Sequence, residues 1–217
     1  MSHHLKFILG LLLLFTIACN PNRPDTTPDG FEAITIQEGN HKSDPWGVRT
    51  PTYDRKYRWY FAQSARYYIN PDSSRTGDQL DWNKLIGQSY TPFRLWPDAN
   101  HINSAMVGWR YNPETDLMEL NAYWHLDEQR DFTNTLVEVE IGQEFETIVA
   151  RRLGNQVDVC IEKFISPDAA NQTSGSVCHT IDFTGQNIPQ EIREILTYFG
   201  GNRTAPNWIL IYRKQLN

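Results

Sequence analysis

The side chains best suited to bind a ligand lie in residues 104–125, SAMVGWRYNPETDLMELNAYWH, where two alternating runs flank a turn. Alternation with period two is typical of a strand whose two faces meet different surroundings. One face of the second run suits a core and carries Met118, Leu120, Ala122 and Trp124. The opposite face is chemically richer and carries Glu119, Asn121, Tyr123 and His125. This second face is the first candidate for a binding surface.

The same alternation adds arginine and tyrosine side chains from two other segments. Arg58 and Tyr60 share a face in residues 57–69, and Arg110 lies opposite the apolar set of its run. Aromatic rings stack on the apolar faces of sugars, while Asn, Arg and His side chains donate hydrogen bonds to hydroxyl or carboxylate groups. If the three strands are neighbours, they form one saccharide-binding surface from Arg58, Tyr60, Arg110, Asn121, Tyr123 and His125. Trp124 becomes a stacking candidate only if the two faces are reversed. The alternative is that these Tyr and Arg side chains only stabilise the sheet.

Carboxylate pairs for glycoside hydrolysis are poorly represented. In residues 137–146, VEVEIGQEFE, Glu138 and Glu140 share a face. A retaining glycosidase needs two carboxyl groups about 5–5.5 Å apart, whereas same-face neighbours on one strand are about 7 Å apart. A solvated acidic stripe is therefore the simpler interpretation.

A polysaccharide lyase is the other enzymatic alternative. It needs a base near a carbon whose proton is made acidic by a neutralised carboxylate. Tyr123 or His125 would be that base, and Arg110 or Arg58 would neutralise the carboxylate. We therefore lean towards a binding protein and keep a lyase or glycoside hydrolase as the alternative.

Metal and cofactor sites are not indicated by the sequence. The histidines at positions 41, 101, 125 and 179 lack metal-ligand spacing. Residues 72–78, DSSRTGD, have some features of a calcium loop, but Ser and Thr occupy ligand positions and no acid stands at the twelfth place. We expect no cofactor, with calcium at this loop as the alternative to a plain turn.

The elements that position these residues are mostly short strands. Alternating runs recur about every ten residues and are joined by polar turns, which predicts antiparallel neighbours packed on one face. Residues 187–201, NIPQEIREILTYFGG, instead place Ile192, Ile195, Leu196 and Phe199 at helical spacing and predict a short helix there. The class is thus all-β with minor helix.

The first residues have the order of a secretion signal. A polar start precedes FILGLLLLFTI, an apolar run too short to span a bilayer, and small residues precede Cys19. This order resembles a bacterial lipobox, in which the leader is cleaved and the cysteine is lipidated. We predict a signal peptide at 1–18, a flexible tether anchored through Cys19 at 19–30, and one β-sandwich domain at 31–217. Plain secretion and an uncleaved anchor are the alternatives.

The net charge excludes one class of partner, and the cysteines predict a covalent cross-link. The net charge of −6 excludes nucleic acid, because an acidic surface repels phosphate backbones. Residues 156–164 and 175–183 both alternate, and if they pair as a hairpin, Cys160 and Cys178 lie opposite one another. We predict a cross-strand disulfide between them, with two free thiols as the alternative.

The end and the middle of the chain are similar to a known group of proteins. They resemble secreted lipoproteins of Bacteroidota-type bacteria, at the end in YFGGNRTAPNWILIYRK and in the middle in NKLIGQS, NSAMVGWRY and MELNAYWH. This resemblance implies a concanavalin A-like jelly-roll sandwich of antiparallel sheets with one concave face open, in a lipid-anchored protein of the outer membrane or cell surface. The predicted partners are accordingly a poly- or oligosaccharide, bound without catalysis, and the membrane through the N-terminal lipid anchor. A lipocalin-like barrel carrying a small apolar ligand is the alternative fold, although DPWG lacks the expected Gly-x-Trp order.

Overall fold

A computed structural model describes residues 27–47, 54–69, 78–91, 101–164, 173–189 and 192–216. The predicted signal peptide, Cys19 and residues 20–26 of the tether lie outside these ranges, so their assignments remain predictions. The described part contains thirteen strands and three short 3-10 turns at Gln63–Ala65, Asp78–Leu80 and Leu153–Asn155. The strands are β1 Glu32–Ile36, β2 Ser43–Asp44, β3 Lys56–Phe61, β4 Asn83–Ser89, β5 Ser104–Asn112, β6 Leu117–Leu126, β7 Gln129–Phe132, β8 Val137–Val139, β9 Phe145–Arg151, β10 Gln156–Phe164, β11 Thr173–Asp182, β12 Arg193–Ile195 and β13 Ile209–Leu216.

The strands form two antiparallel sheets. The seven-stranded sheet has the order β11-β10-β9-β3-β13-β1-β2, and the six-stranded sheet has the order β12-β4-β5-β6-β7, with β8 also paired to β6. The all-β sandwich prediction is confirmed, and the arrangement is consistent with a jelly roll. The sheets are not closed into a barrel, so the lipocalin-like alternative is wrong.

The helix predicted from residues 187–201 is also wrong within the described residues. Arg193–Ile195 form β12, which pairs with β4, and all three residues are buried. A strand that is buried on both faces shows no alternation, so its apolar residues are easily mistaken for one side of a helix. No described helix is long and apolar enough to cross a membrane.

The core lies between the two sheets and follows the predicted alternation. Met118, Leu120 and Ala122 of β6 are fully buried there, against a cluster that includes Trp59 of β3 and Trp109 of β5. Trp124 is half-buried at the margin of this core and stacks on His179 of the facing sheet, with ring centroids 5.0 Å apart. The core-facing assignment of β6 is therefore correct.

The predicted disulfide is confirmed. Cys160 of β10 and Cys178 of β11 are directly opposed in the hairpin register and are bonded to each other. Their Cα atoms are 4.1 Å apart. The bond fastens the β10–β11 hairpin at one edge of the seven-stranded sheet.

Candidate functional site

The six predicted ligand-binding residues do not share one surface. Arg58 and Tyr60 lie on β3, which pairs with β9 and β13 in the seven-stranded sheet. The remaining four, Arg110, Asn121, Tyr123 and His125, lie on β5 and β6 of the six-stranded sheet. Both groups face away from the shared core, so they lie on opposite sides of the sandwich. The assumption that the three strands are neighbours was wrong, because period-two alternation gives each strand two faces without specifying its partner.

Arg58 and Tyr60 are occupied by contacts within the protein. The Arg58 guanidinium donates to Glu146 with an Nη2–Oε1 distance of 2.6 Å, and it packs over the ring of Phe164. Tyr60 stacks on Tyr212 with centroids 4.6 Å apart, and burial raises its pKa to about 12. These contacts stabilise the outer face of the seven-stranded sheet.

Arg110 and Asn121 are occupied in the same way. Arg110 pairs with Glu119 at 2.6 Å and packs over the ring of Trp82 at 4.0 Å. The Asn121 amide donates to the carbonyl of Thr133 at 3.0 Å, and the residue is completely buried. Neither side chain is placed to make a first contact with a sugar.

Tyr123 and His125 lie on the candidate face but are covered, with exposed fractions of 4% and 5%. His125 Nδ1 lies 3.2 Å from the hydroxyl of Ser104. Burial, reinforced by His101 and the nearby cations Lys84 and Arg130, lowers the pKa of His125 to about 4, so its imidazole is neutral at pH 7. Burial raises the pKa of the Tyr123 phenol, which therefore stays protonated.

Two tyrosine rings flank Lys84 on this outer face, and further rings adjoin them. Lys84 Nζ lies 4.8 Å from the ring centroid of Tyr123 and 5.9 Å from that of Tyr198. Beyond Tyr198 the ring contacts extend to Trp46, at 6.5 Å. Beyond Tyr123 they extend to Phe132 at 6.1 Å, and then to Trp82 at 6.5 Å. We call this set the aromatic surface, which comprises Trp46, Trp82, Lys84, Tyr123, Phe132 and Tyr198.

Two rings of the aromatic surface are open to solvent. Trp46, at one end, is 44% exposed, and Phe132, which lies between Tyr123 and Trp82, is 43% exposed. Lys84 is half-buried between these two rings. A ligand can therefore contact Trp46 and Phe132 and approach the ammonium group between them.

The backbone fixes Tyr198 beside Lys84. The amide of each residue donates to the carbonyl of the other, at 2.9 and 2.8 Å, in an isolated bridge next to β4. Two residues later the chain passes so close to Trp82 that a Cβ on Gly200 would overlap the Trp82 carbonyl oxygen. The Gly200 amide also donates to the Asn83 side chain at 2.6 Å. The YFGG turn thus holds Tyr198 in place, because only glycine fits the close approach.

The electrostatics of the aromatic surface centre on Lys84. Burial and, to a smaller extent, the charge of Arg130 lower its pKa to about 8, although Asp81 acts in the opposite direction. The ammonium group is therefore still mostly protonated at pH 7. Arg130 also hydrogen-bonds the Tyr123 phenol, which makes this part of the face locally positive on an acidic protein.

Sequence reasoning missed most of the aromatic surface. The outward position of Lys84 was hidden because the register of β4 against β5 shifts between Lys84 and Ile86, which breaks the alternation. Tyr198 and Trp46 lie outside the regular strands, so the period-two alternation did not assign either residue to a face of a sheet. The signal that was available is the conspicuous glycine pair after Tyr198, since Gly200 and Gly201 indicate a tight local structure.

The other candidates from the sequence gain no support. Glu138 and Glu140 are both exposed, as a solvated stripe would be. Of the possible calcium loop, residues 72–77 lie outside the described ranges, and Asp78 pairs with Arg203 at 2.9 Å. Among the described residues, no group of three or more His, Cys, Asp or Glu side chains is placed to hold a metal ion.

A small cavity between the sheets is lined by side chains that include Tyr57, Gln88 and Glu194. Its volume of about 10 Å³ is room for one water molecule at most. The Tyr57 hydroxyl donates to Glu194, and the Gln88 amide donates to the carbonyl of Val149 at 2.7 Å. The cavity is therefore part of the packed interior and is too small for a sugar.

The sequence matches no protein-family model and no curated protein. Among solved structures, the chain is similar to one described as the crystal structure of Scytalido-glutamic peptidase with a peptide based transition state analog. The match covers 87% of this chain and 66% of that chain, just under two thirds of its length, at 7% identity and a TM-score of 0.33. A likeness this weak carries no argument about function.

Proposed function

We propose that this protein binds a poly- or oligosaccharide without catalysis on the aromatic surface of its six-stranded sheet. The observation that carries the proposal is the row of adjoining rings that includes exposed Trp46 and exposed Phe132, with Lys84 between them. Aromatic rings contribute large contact area at low entropic cost, and a nearby cation gives direction to polar groups. With the predicted lipid anchor at Cys19, the protein would present this surface at the cell envelope.

The same geometry favours binding over catalysis. The side chains that could act as a base in a lyase, Tyr123 and His125, are 4% and 5% exposed. Arg58, one of the two arginines considered for neutralising a substrate carboxylate, lies on the other sheet, and Arg110 is paired with Glu119. A base that the protein itself covers cannot reach a substrate proton without rearrangement.

The test is retention of the full-length chain, purified in detergent, on an array of plant, algal and host polysaccharides. The Trp46→Ala/Phe132→Ala double variant removes the two exposed rings and should weaken retention by about tenfold per ring, because each ring provides a large apolar contact. Both side chains are well exposed, so folding should survive their removal.

The matched control is Tyr68→Ala, because Tyr68 is a 65% exposed ring outside the aromatic surface. It should be retained as strongly as the wild type. Equal retention of the double variant and the wild type would remove the aromatic surface from consideration. Release of new unsaturated or reducing sugar ends in the same wells would show catalysis, and the lyase or hydrolase alternative would then replace the binding hypothesis.

A further inference from the structure

Lys84 is a partly buried cation with no carboxylate partner among the described residues. The one hydrogen bond of its ammonium group within that part of the chain goes to the carbonyl of Trp82, at the long distance of 3.5 Å. By contrast, Arg110 on the same face pairs with Glu119, and Arg58 on the other sheet pairs with Glu146. A cation that is taken out of water normally gains a carboxylate in exchange.

The surroundings of Lys84 are rings and further positive charge. Tyr123 and Tyr198 present their rings to the ammonium group, and aromatic contact attracts a cation without neutralising it. Arg130 adds positive potential. Asp81 attracts the ammonium group, but in the described part of the chain the two form no ion pair. The neutral imidazole of His125 adds no charge at pH 7.

We propose that the ligand of the aromatic surface is an acidic saccharide whose carboxylate binds the ammonium group of Lys84, with Arg130 beside it. This inference rests on the proposed saccharide binding and adds the chemical class of the sugar. The carboxylate would supply the charge partner that the described residues do not provide, while the exposed rings of Trp46 and Phe132 contact the apolar faces of the sugar rings.

The lowered pKa of Lys84 agrees with this assignment and makes it pH-dependent. With its pKa at about 8, Lys84 is charged at pH 7 and loses its charge as the pH rises through 8. Carboxylate affinity should therefore change little between about pH 5 and pH 7, where the sugar carboxylate stays ionised, and fall above pH 8. A bound carboxylate stabilises the ammonium form, so Lys84 loses its charge at a higher pH in the complex than in the free protein.

The experiment compares acidic oligosaccharides, such as oligogalacturonates and oligoalginates, with the same oligosaccharides after methyl esterification of their carboxylates. Calorimetric titration of the full-length chain at pH 7 should show at least about tenfold tighter binding of an acidic form, as expected for a charge-assisted hydrogen bond. Lys84→Gln should abolish this preference, so that the acidic form and the ester bind this variant with equal affinity.

The matched control is Lys214→Gln. Lys214 also lies over an aromatic ring, that of Phe31 at 5.9 Å, but on the seven-stranded sheet. This variant should keep the full preference for the acidic form. An equal preference loss in both lysine variants would overturn the assignment to Lys84.

The remaining outcomes separate the two proposals. Equal binding of acid and ester, or tightest binding of a neutral glycan, overturns the acidic-sugar inference while the aromatic surface remains a saccharide site. Failure to bind any acidic, esterified or neutral saccharide overturns both proposals together.

Discussion

The outer faces of the two sheets use similar side chains in different ways. On the seven-stranded sheet Lys56 and Arg58 both contact the buried carboxylate of Glu146, and they also pair with Glu162 and Glu144 respectively, so both cations have carboxylate partners. On the six-stranded sheet Lys84 lies between two tyrosine rings and makes no ion pair with a described residue. Paired charges stabilise a fold, whereas a cation without a partner retains the capacity to bind an anion. These two regions therefore differ in the pairing of their cations rather than in their residue types.

The largest expected effect is on stability alone and comes from the disulfide at the edge of the seven-stranded sheet. Replacing Cys160 and Cys178 together by Ala should lower the free energy of unfolding by about 3 kcal/mol, because the unfolded chain regains the entropy of an open loop. Chemical denaturation of wild type and variant measures this. Saccharide affinity at 25 °C should not change, and a lower affinity would mean that the two faces are coupled.

The second expected effect tests these paired cations directly. Glu146→Gln removes the buried carboxylate that Lys56 and Arg58 share, and leaves each cation only its longer contact of 3.4 Å, with Glu162 and Glu144 respectively. The free energy of unfolding should fall by about 2 kcal/mol. Denaturation curves check the size of the loss, which should shrink in high salt. A variant as stable as the wild type would show that this charge network contributes little.

The smallest expected effect has the opposite sign and tests Lys84 on the outer face of the six-stranded sheet. Lys84→Met removes a partly buried cation and should raise the free energy of unfolding at pH 7 by about 1 kcal/mol while carboxylate binding is lost. The folded-state pKa of about 8 lies below the ordinary 10.5, so the folded state disfavours the charged form. The cost is therefore fully present below pH 8 and disappears as the pH rises towards 10.5.

Denaturation of wild type and Lys84→Met at pH 7 and at about pH 10 measures this difference. The advantage of the variant should shrink at the higher pH. Lys214→Met should change stability by less than about 0.5 kcal/mol at both values. A Lys84→Met variant that is less stable than the wild type at pH 7 would show that the contacts with Tyr123 and Tyr198 outweigh the cost of burial.

Much of the fold could be predicted from residue patterns because it depends on local alternation. The core assignment of Met118, Leu120 and Ala122 and the pairing of Cys160 with Cys178 follow from period two and from a short hairpin connection. The helix predicted at residues 187–201 failed because β12 is buried on both faces, where alternation disappears. The candidate site was predicted less well, since only Tyr123 among its six predicted residues belongs to the aromatic surface.

The sequence by itself determined which residues of each strand face the core, since local alternation and side-chain hydrophobicity fix the two faces of a strand. Only the tertiary structure decided which strands are neighbours. It separated Arg58 and Tyr60 from Tyr123, and it brought Tyr198 against Lys84 from a distant part of the chain. The physical reason is that strand pairing between distant segments depends on the packing of the whole sandwich. Period two is the same for strands that pair and for strands that do not, so it carries no information about partners.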